Sequence, residues 1–125
     1  MLRVVNRYGA GALEENMEAL QGRARVNHPY LNDEGCKCIV VRAGRKEDSW
    51  IEIASWKRDS HEDIQKDLDH KLRCEGSRID QLLGEGWMRM DYEGRTIEMR
   101  GFNGAGNSAK EIIQKAYPNY TITMG

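Results

Sequence analysis

Apolar residues along this chain recur with two different periods. Leu13, Met17 and Leu20 stand at i, i+4 and i+7, Ile64, Leu68 and Leu72 at i, i+4 and i+8, and Ala109, Ile112, Ile113, Ala116 and Tyr117 fall on one helical face. Residues 2–6, 36–42, 50–56, 87–92, 95–100 and 120–124 are instead short apolar or alternating runs bounded by turn formers, which predicts strands. The breaks are Tyr8-Gly9-Ala10-Gly11, Gly22, a loop over residues 27–35, Gly76, and Gly84 with Gly86. Ser60 with Asp63 resembles a capping box for the second helix, and Ser108 with Glu111 completes the S-x-x-E form for the last one. Residues 77–83 read as a further short helix ended by Gly84 and Gly86.

Two hairpins follow from this pattern. A turn at Glu93-Gly94 pairs Met90 with Ile97, Met88 with Met99, Arg89 with Glu98 and Trp87 with Arg100, so that one face is apolar and the other carries an ion pair and a cation–aromatic pair. In the first hairpin, setting Val41 against Ile51 and Ile39 against Ile53 makes one face wholly aliphatic and places Arg42 opposite Trp50, with residues 43–49 as a solvated loop. The order of elements predicts an α+β fold: a mixed or antiparallel sheet of about six strands, two hairpins plus terminal strands, with three to four helices packed on one side of it. No linker or low-complexity segment divides the chain, so residues 1–125 read as one domain.

Composition narrows the function classes. Nineteen Lys and Arg face twenty Asp and Glu, a net charge of −1 that gives no general pull toward nucleic acid or an acidic membrane. No apolar run approaches the roughly 20 residues of a membrane helix, and no apolar leader stretch stands at the N-terminus. Three cysteines, an odd number, fit a reducing compartment with free thiols, and the expected location is the cytoplasm.

One segment has chemistry of its own. Arg100-Gly-Phe-Asn-Gly-Ala-Gly-Asn-Ser-Ala-Lys110 joins a strand to a helix. Glycines allow backbone N–H groups to approach a ligand, and a helix N-terminus presents unpaired donors with a positive partial charge. Gly101-x4-Gly106-Asn107-Ser108 resembles a phosphate-binding Walker A loop with Asn107 where the lysine belongs, a departure that excludes a nucleoside triphosphatase reading. The candidate ligand-binding residues are Arg100, Phe102 as a stacking ring, Asn103, Gly104, Gly106, Asn107, Ser108 and Lys110, with Arg7 and Tyr8 before a second Gly-Ala-Gly as an echo. The same loop also reads as a plain capped β-to-α connection.

Other chemistries are weaker. Cys36-x-Cys38 has the wrong spacing for a zinc knuckle, Asp63, Asp67 and His70 share a helical face that reads as solvated, and no local signature joins a nucleophile to a base. No acid stands in an apolar setting that marks it for acid–base work, and Cys38 reads as buried and inert. Trp50, Trp56 and Trp87, beside Arg42 and Arg100, suggest an Arg–aromatic face of the kind enriched at binding hot spots.

The leading expectation is therefore a non-enzymatic protein, without cofactor or metal, that captures a phosphate-bearing, nucleotide-like small molecule as a sponge or sensor. Size and missing catalytic motifs fit an accessory protein of a phage or plasmid, acting in the host cytoplasm as counter-defence. The alternatives are a protein–protein inhibitor using the Trp/Arg face, and a small enzyme of unrecognised type. A homo-oligomer is expected, since symmetric dimers are the commonest assembly of such chains.

Overall fold

The computed structural model describes residues 24–27, 34–56, 60–102 and 105–125. Their elements are β1 (Arg25–Asn27), β2 (Cys36–Arg45), β3 (Asp48–Ser55), α1 (His61–Cys74), β4 (Arg78–Asp91), β5 (Thr96–Gly101), α2 (Gly106–Ala116) and β6 (Thr121–Met124). The strands form a single six-stranded sheet in the order β1-β3-β2-β4-β5-β6. The two edge strands run parallel to their neighbours and every inner pairing is antiparallel.

The α+β class and the mixed sheet of six strands stand, but the helix count and layering do not. Two helices occur among the described residues, not three to four. They lie on opposite faces of the sheet, not on one side, because each helix packs with a different core cluster. The expected strand at residues 2–6 and helix around Leu13, Met17 and Leu20 fall outside the described residues, and β1 lies in a stretch to which the pattern assigned no element, ending at Asn27 where the expected loop begins.

The predicted helix at residues 77–83 is the first part of β4. Its deceptive 3- and 4-residue spacing has a physical cause. Against β2, Val40 pairs with Gly84 but Val41 with Leu82, and Arg42 pairs with Gln81 but Ala43 with Ile79, so the ladder slips between each pair. Each irregularity leaves an extra residue in β4 and breaks the two-residue alternation. As a result Leu83 joins the core beneath α2 while Leu82 and Ile79 pack on the side of α1.

The helix that begins at Ser60 forms as its pattern requires. The Ser60 hydroxyl accepts from Asp63 N at 3.1 Å. Ile64, Leu68 and Leu72 are fully buried on Ile39, Val41, Ala43, Ala54 and the indoles of Trp50 and Trp56. Burying three such aliphatic side chains contributes on the order of 5–9 kcal/mol before entropic costs. At the other end Ser77 N donates to Leu72 O and Gly76 N to Arg73 O, with Gly76 at φ 78°, a left-handed stop of the Schellman type.

The β4–β5 hairpin has the predicted register from Trp87–Arg100 to Asp91–Thr96. Its turn differs. The Asp91 carboxylate accepts from Glu93 N and Gly94 N, and the left-handed residue is Arg95, so the loop holds four residues, 92–95, where a two-residue turn was expected. Both loops preserve the same pairing. The β2–β3 hairpin is shifted by one residue from expectation: Val41 faces Glu52, Arg42 faces Ile51, and Ala43 faces Trp50, around a two-residue turn at Lys46 and Glu47. Helices cover both faces here, so nearly every position of these strands is buried and no polar alternation marks the register.

Candidate functional site

At the end of β5, Gly101 and Phe102 both adopt left-handed backbone, with φ of 86° and 69°. The pair turns the chain off the sheet, and Phe102 N donates to Glu85 O at 2.7 Å. The Phe102 ring goes inward and is fully buried. It lies on Gly86, where an added Cβ would sit 2.6 Å from two ring carbons and from the Arg100 carbonyl. Gly84 and Gly86, which read as helix stops, are thus the flat stretch of β4 that admits Phe102. A buried ring has no face to offer a ligand, so the stacking role expected of Phe102 is corrected to a core role.

The helix start also differs. α2 begins at Gly106 with Ala105 as its N-cap and no side-chain cap. Ser108 is the third helical residue and is 2% exposed, so it does not cap as predicted. The helix starts early because Ala105 and Ala109 are both buried in the core cluster that Phe102 enters, and that packing outweighs a cap worth about 1 kcal/mol. Asn107 and Lys110 are exposed. Asn103, Gly104, Arg7 and Tyr8 lie outside the described residues.

Arg100 does not join this loop. Its neighbour Met99 points into the core with α2, which places Arg100 on the other face of the sheet. There its guanidinium lies over the Trp87 ring, 5.0 Å from the centroid, and both Nε and Nη2 bind Glu98 Oε2. Arg89 Nη2 donates to the other oxygen of Glu98 at 2.8 Å. The predicted ligand set is therefore divided by the sheet, with Gly106, Asn107, Ser108 and Lys110 on one side and Arg100 on the other.

What the structure does assemble is the second sequence motif in reduced form. Trp87, Arg89, Glu98 and Arg100 share one face of β4 and β5, with Thr96, Thr121 and Thr123 exposed on the same side. No helix of the described residues covers them. Their bases are fixed: Trp87 packs so closely on Gly35 that a Cβ there would overlap the indole. At the margin toward α1, His61 Nε2 donates to Gly86 O at 2.8 Å and His61 Nδ1 lies 3.5 Å from Glu85 Oε2. Trp50 and Trp56 do not belong to this exposed face, since both are buried under α1.

Two charged residues stand where the sequence reading did not place them. Arg42 is 1% exposed, and burial lowers the pKa of its guanidinium while Asp80 works in the opposite direction. Glu52 is fully buried, which corrects the expectation that no acid stands in an apolar setting. The signal was present in Trp50-Ile51-Glu52-Ile53-Ala54, a carboxylate flanked on both sides by core residues. Trp50 is stacked not by Arg42 but by Arg25, 5.1 Å from the ring centroid.

Cys36 and Cys38 are buried thiols, and burial followed by the proximity of Cys36 pushes the Cys38 pKa upward. Cys74 is exposed, with Sγ 3.8 Å from His70 Nε2. Among the described residues no group of three or more His, Cys, Asp or Glu is placed to hold a metal ion, and no helix is long and apolar enough to cross a membrane. Compared with known proteins, the chain matches no family model and no curated sequence.

Proposed function

We propose that this chain is a non-enzymatic binding protein that engages a protein partner through the open β4–β5 face, with Arg89 and Arg100 gripping a carboxylate of that partner. The observation that carries the reading is a charge mismatch. Two guanidinium groups share the single carboxylate of Glu98, a trio with one positive charge in excess and several N–H donors facing outward, on a face that no helix of the described residues covers. Arg100 is already ordered by its stack on Trp87, so little rotamer freedom remains to be lost on binding. Arg and Trp are also the residue types that dominate binding hot spots. The reading places the chain in a cytoplasm and includes self-association as one form of the partner.

A second reading, capture of a phosphate-bearing, nucleotide-like molecule, rests on α2. That helix begins without a side-chain cap and with no acid in its first turn, while Asn107 and Lys110 are exposed near its start.

Titration with a glutamate-rich peptide and, separately, with ATP, followed by amide resonances, tests both. The first reading expects the peptide to shift residues 87–100 and Arg100→Ala to weaken it by roughly ten- to a hundredfold, since a charge-assisted hydrogen bond is worth about 1.5–3 kcal/mol. Shifts confined to residues 105–110 with ATP, and none with the peptide, would replace it by the second.

A further inference from the structure

At the other edge of the sheet, on the face that carries α1, stands a second Arg–Trp stack built around a buried charge. Glu52 has no solvent exposure, and such a carboxylate is tolerated only where opposite charge and hydrogen bonds offset its lost hydration. Its Oε1 accepts from Trp50 Nε1 at 2.9 Å and lies 3.3 Å from Arg25 Nε. Its Oε2 has no hydrogen-bond partner among the described residues. The Arg25 guanidinium rests over the Trp50 ring, and its Nη2 lies 3.5 Å from Glu75 Oε2 just past the end of α1.

An indole platform, a buried carboxylate at its edge and a second carboxylate across from it are the parts of a guanidinium receptor: the planar cation stacks on the ring while its donors meet the acids. Three features indicate that its present occupant is exchangeable. Arg25 comes from an edge strand of only three residues, and its side chain is 44% exposed. The walls of the site do not depend on it for their backbone, because Trp50 and Glu52 belong to β3, and the Glu75 main chain is held by Arg45, whose Nη2 donates to Glu75 O at 2.8 Å. The fit is also incomplete. Arg25 meets one oxygen of Glu52 through Nε, whereas the strong arrangement of this pair is the two-pronged one that uses both oxygens.

We propose that Trp50, Glu52 and Glu75 form a recognition site for the guanidinium of an arginine on a partner protein, which Arg25 occupies in cis as an intramolecular competitor. The site is separate from the Arg89–Arg100 face and of opposite charge preference. A partner arginine that engages both oxygens of Glu52 displaces Arg25, and with it the contact that ties β1 to the end of α1.

The test uses the full chain and N-acetyl-arginine amide as probe, with binding followed by calorimetry and tryptophan fluorescence. Arg25→Ala removes the competitor and should bind the probe saturably, at least tenfold more tightly than the unaltered chain. Adding Glu52→Gln to that variant should weaken the probe tenfold or more, and N-acetyl-lysine amide should bind less well than the arginine probe. A melting curve checks each variant. If Arg25→Ala does not fold, Arg25→Lys takes its place, because lysine keeps the charge but has no planar group to rest on Trp50 while bridging Glu52 and Glu75, and it too should bind more tightly than the unaltered chain. The proposal is overturned by absence of saturable binding to the folded Arg25 variant, by equal affinity of variant and unaltered chain, or by indifference to Glu52→Gln.

Discussion

Replacing Phe102 with alanine distinguishes a core residue from a ligand-stacking one. The ring is fully buried, lies on Gly86, and belongs to the cluster that holds α2 against the sheet. Phe-to-Ala changes at such sites cost about 3–5 kcal/mol, from lost burial plus the cavity left behind. The left-handed backbone at φ 69° does not alter this figure, because phenylalanine and alanine both carry a Cβ and bear the same strain. Phe102→Gly separates the two effects: it removes the same ring but relaxes the backbone, so it should be less damaging than the alanine variant by about 1 kcal/mol. At roughly 4 °C per kcal/mol for a domain of this size, Phe102→Ala should lower Tm by about 12–20 °C. Urea unfolding should give the same loss with an unchanged m-value, since the exposed area on unfolding is nearly the same. A loss below about 1 kcal/mol, the range of surface substitutions, would refute the core assignment and return Phe102 to the loop surface.

Further outcomes follow from single features. Burial, then proximity to Tyr92 and Tyr120, pushes the Tyr117 pKa up to about 12 from 10.0. A raised folded value favours the protonated phenol, so its contribution to stability is complete below pH 10 and is lost as pH rises from about 10 to 12. A tyrosinate titration should show one late phenol that disappears in Tyr117→Phe, and titration of all tyrosines together would contradict it. A chromogenic disulfide reagent should label one thiol of three in the native chain, Cys74, and all three after denaturation; rapid native labelling of Cys36 or Cys38 would place them outside the core. Gly76→Ala meets nothing within 4 Å but must adopt φ 78°, so it should cost about 1–2 kcal/mol by thermal melting, and no loss would mean that the stop of α1 is not left-handed there.

The readable parts of this fold are those where one side of an element faces water. α1 has a dry stripe at Ile64, Leu68 and Leu72 and a wet side of paired charges, such as Arg73 on Asp69 at 2.8 Å, so its period is plain. The β4–β5 hairpin alternates Met88, Met90, Ile97 and Met99 with Trp87, Arg89, Glu98 and Arg100, and its register follows even though the turn carries its left-handed residue at Arg95. The same alternation marks the residues of the proposed binding face. The phosphate-loop reading did less well because local spacing says nothing about which face of a sheet a side chain takes after a left-handed turn. Arg100 and Ser108 are close in sequence and on opposite sides of the sheet.

By itself, then, the sequence determined the α1 stripe, the β4–β5 register, the last strand and the two-sided character of that hairpin, because each depends on neighbours in the chain and on contact with water. Only the tertiary structure decided the rest. The β2–β3 register hung on two helices covering both faces, which removes the polar alternation that would have marked it. The identity of β4 at residues 78–83 hung on ladder irregularities imposed by β2, which convert a strand's period of two into spacings of three and four. The roles of Glu52 and Arg25 hung on a parallel pairing between β1 and β3, segments more than twenty residues apart in the chain, where Arg25 comes to lie opposite Glu52. The apolar neighbours of Glu52 mark its burial, but its charge pairing is a property of contacts between distant segments, and no local pattern encodes the partner.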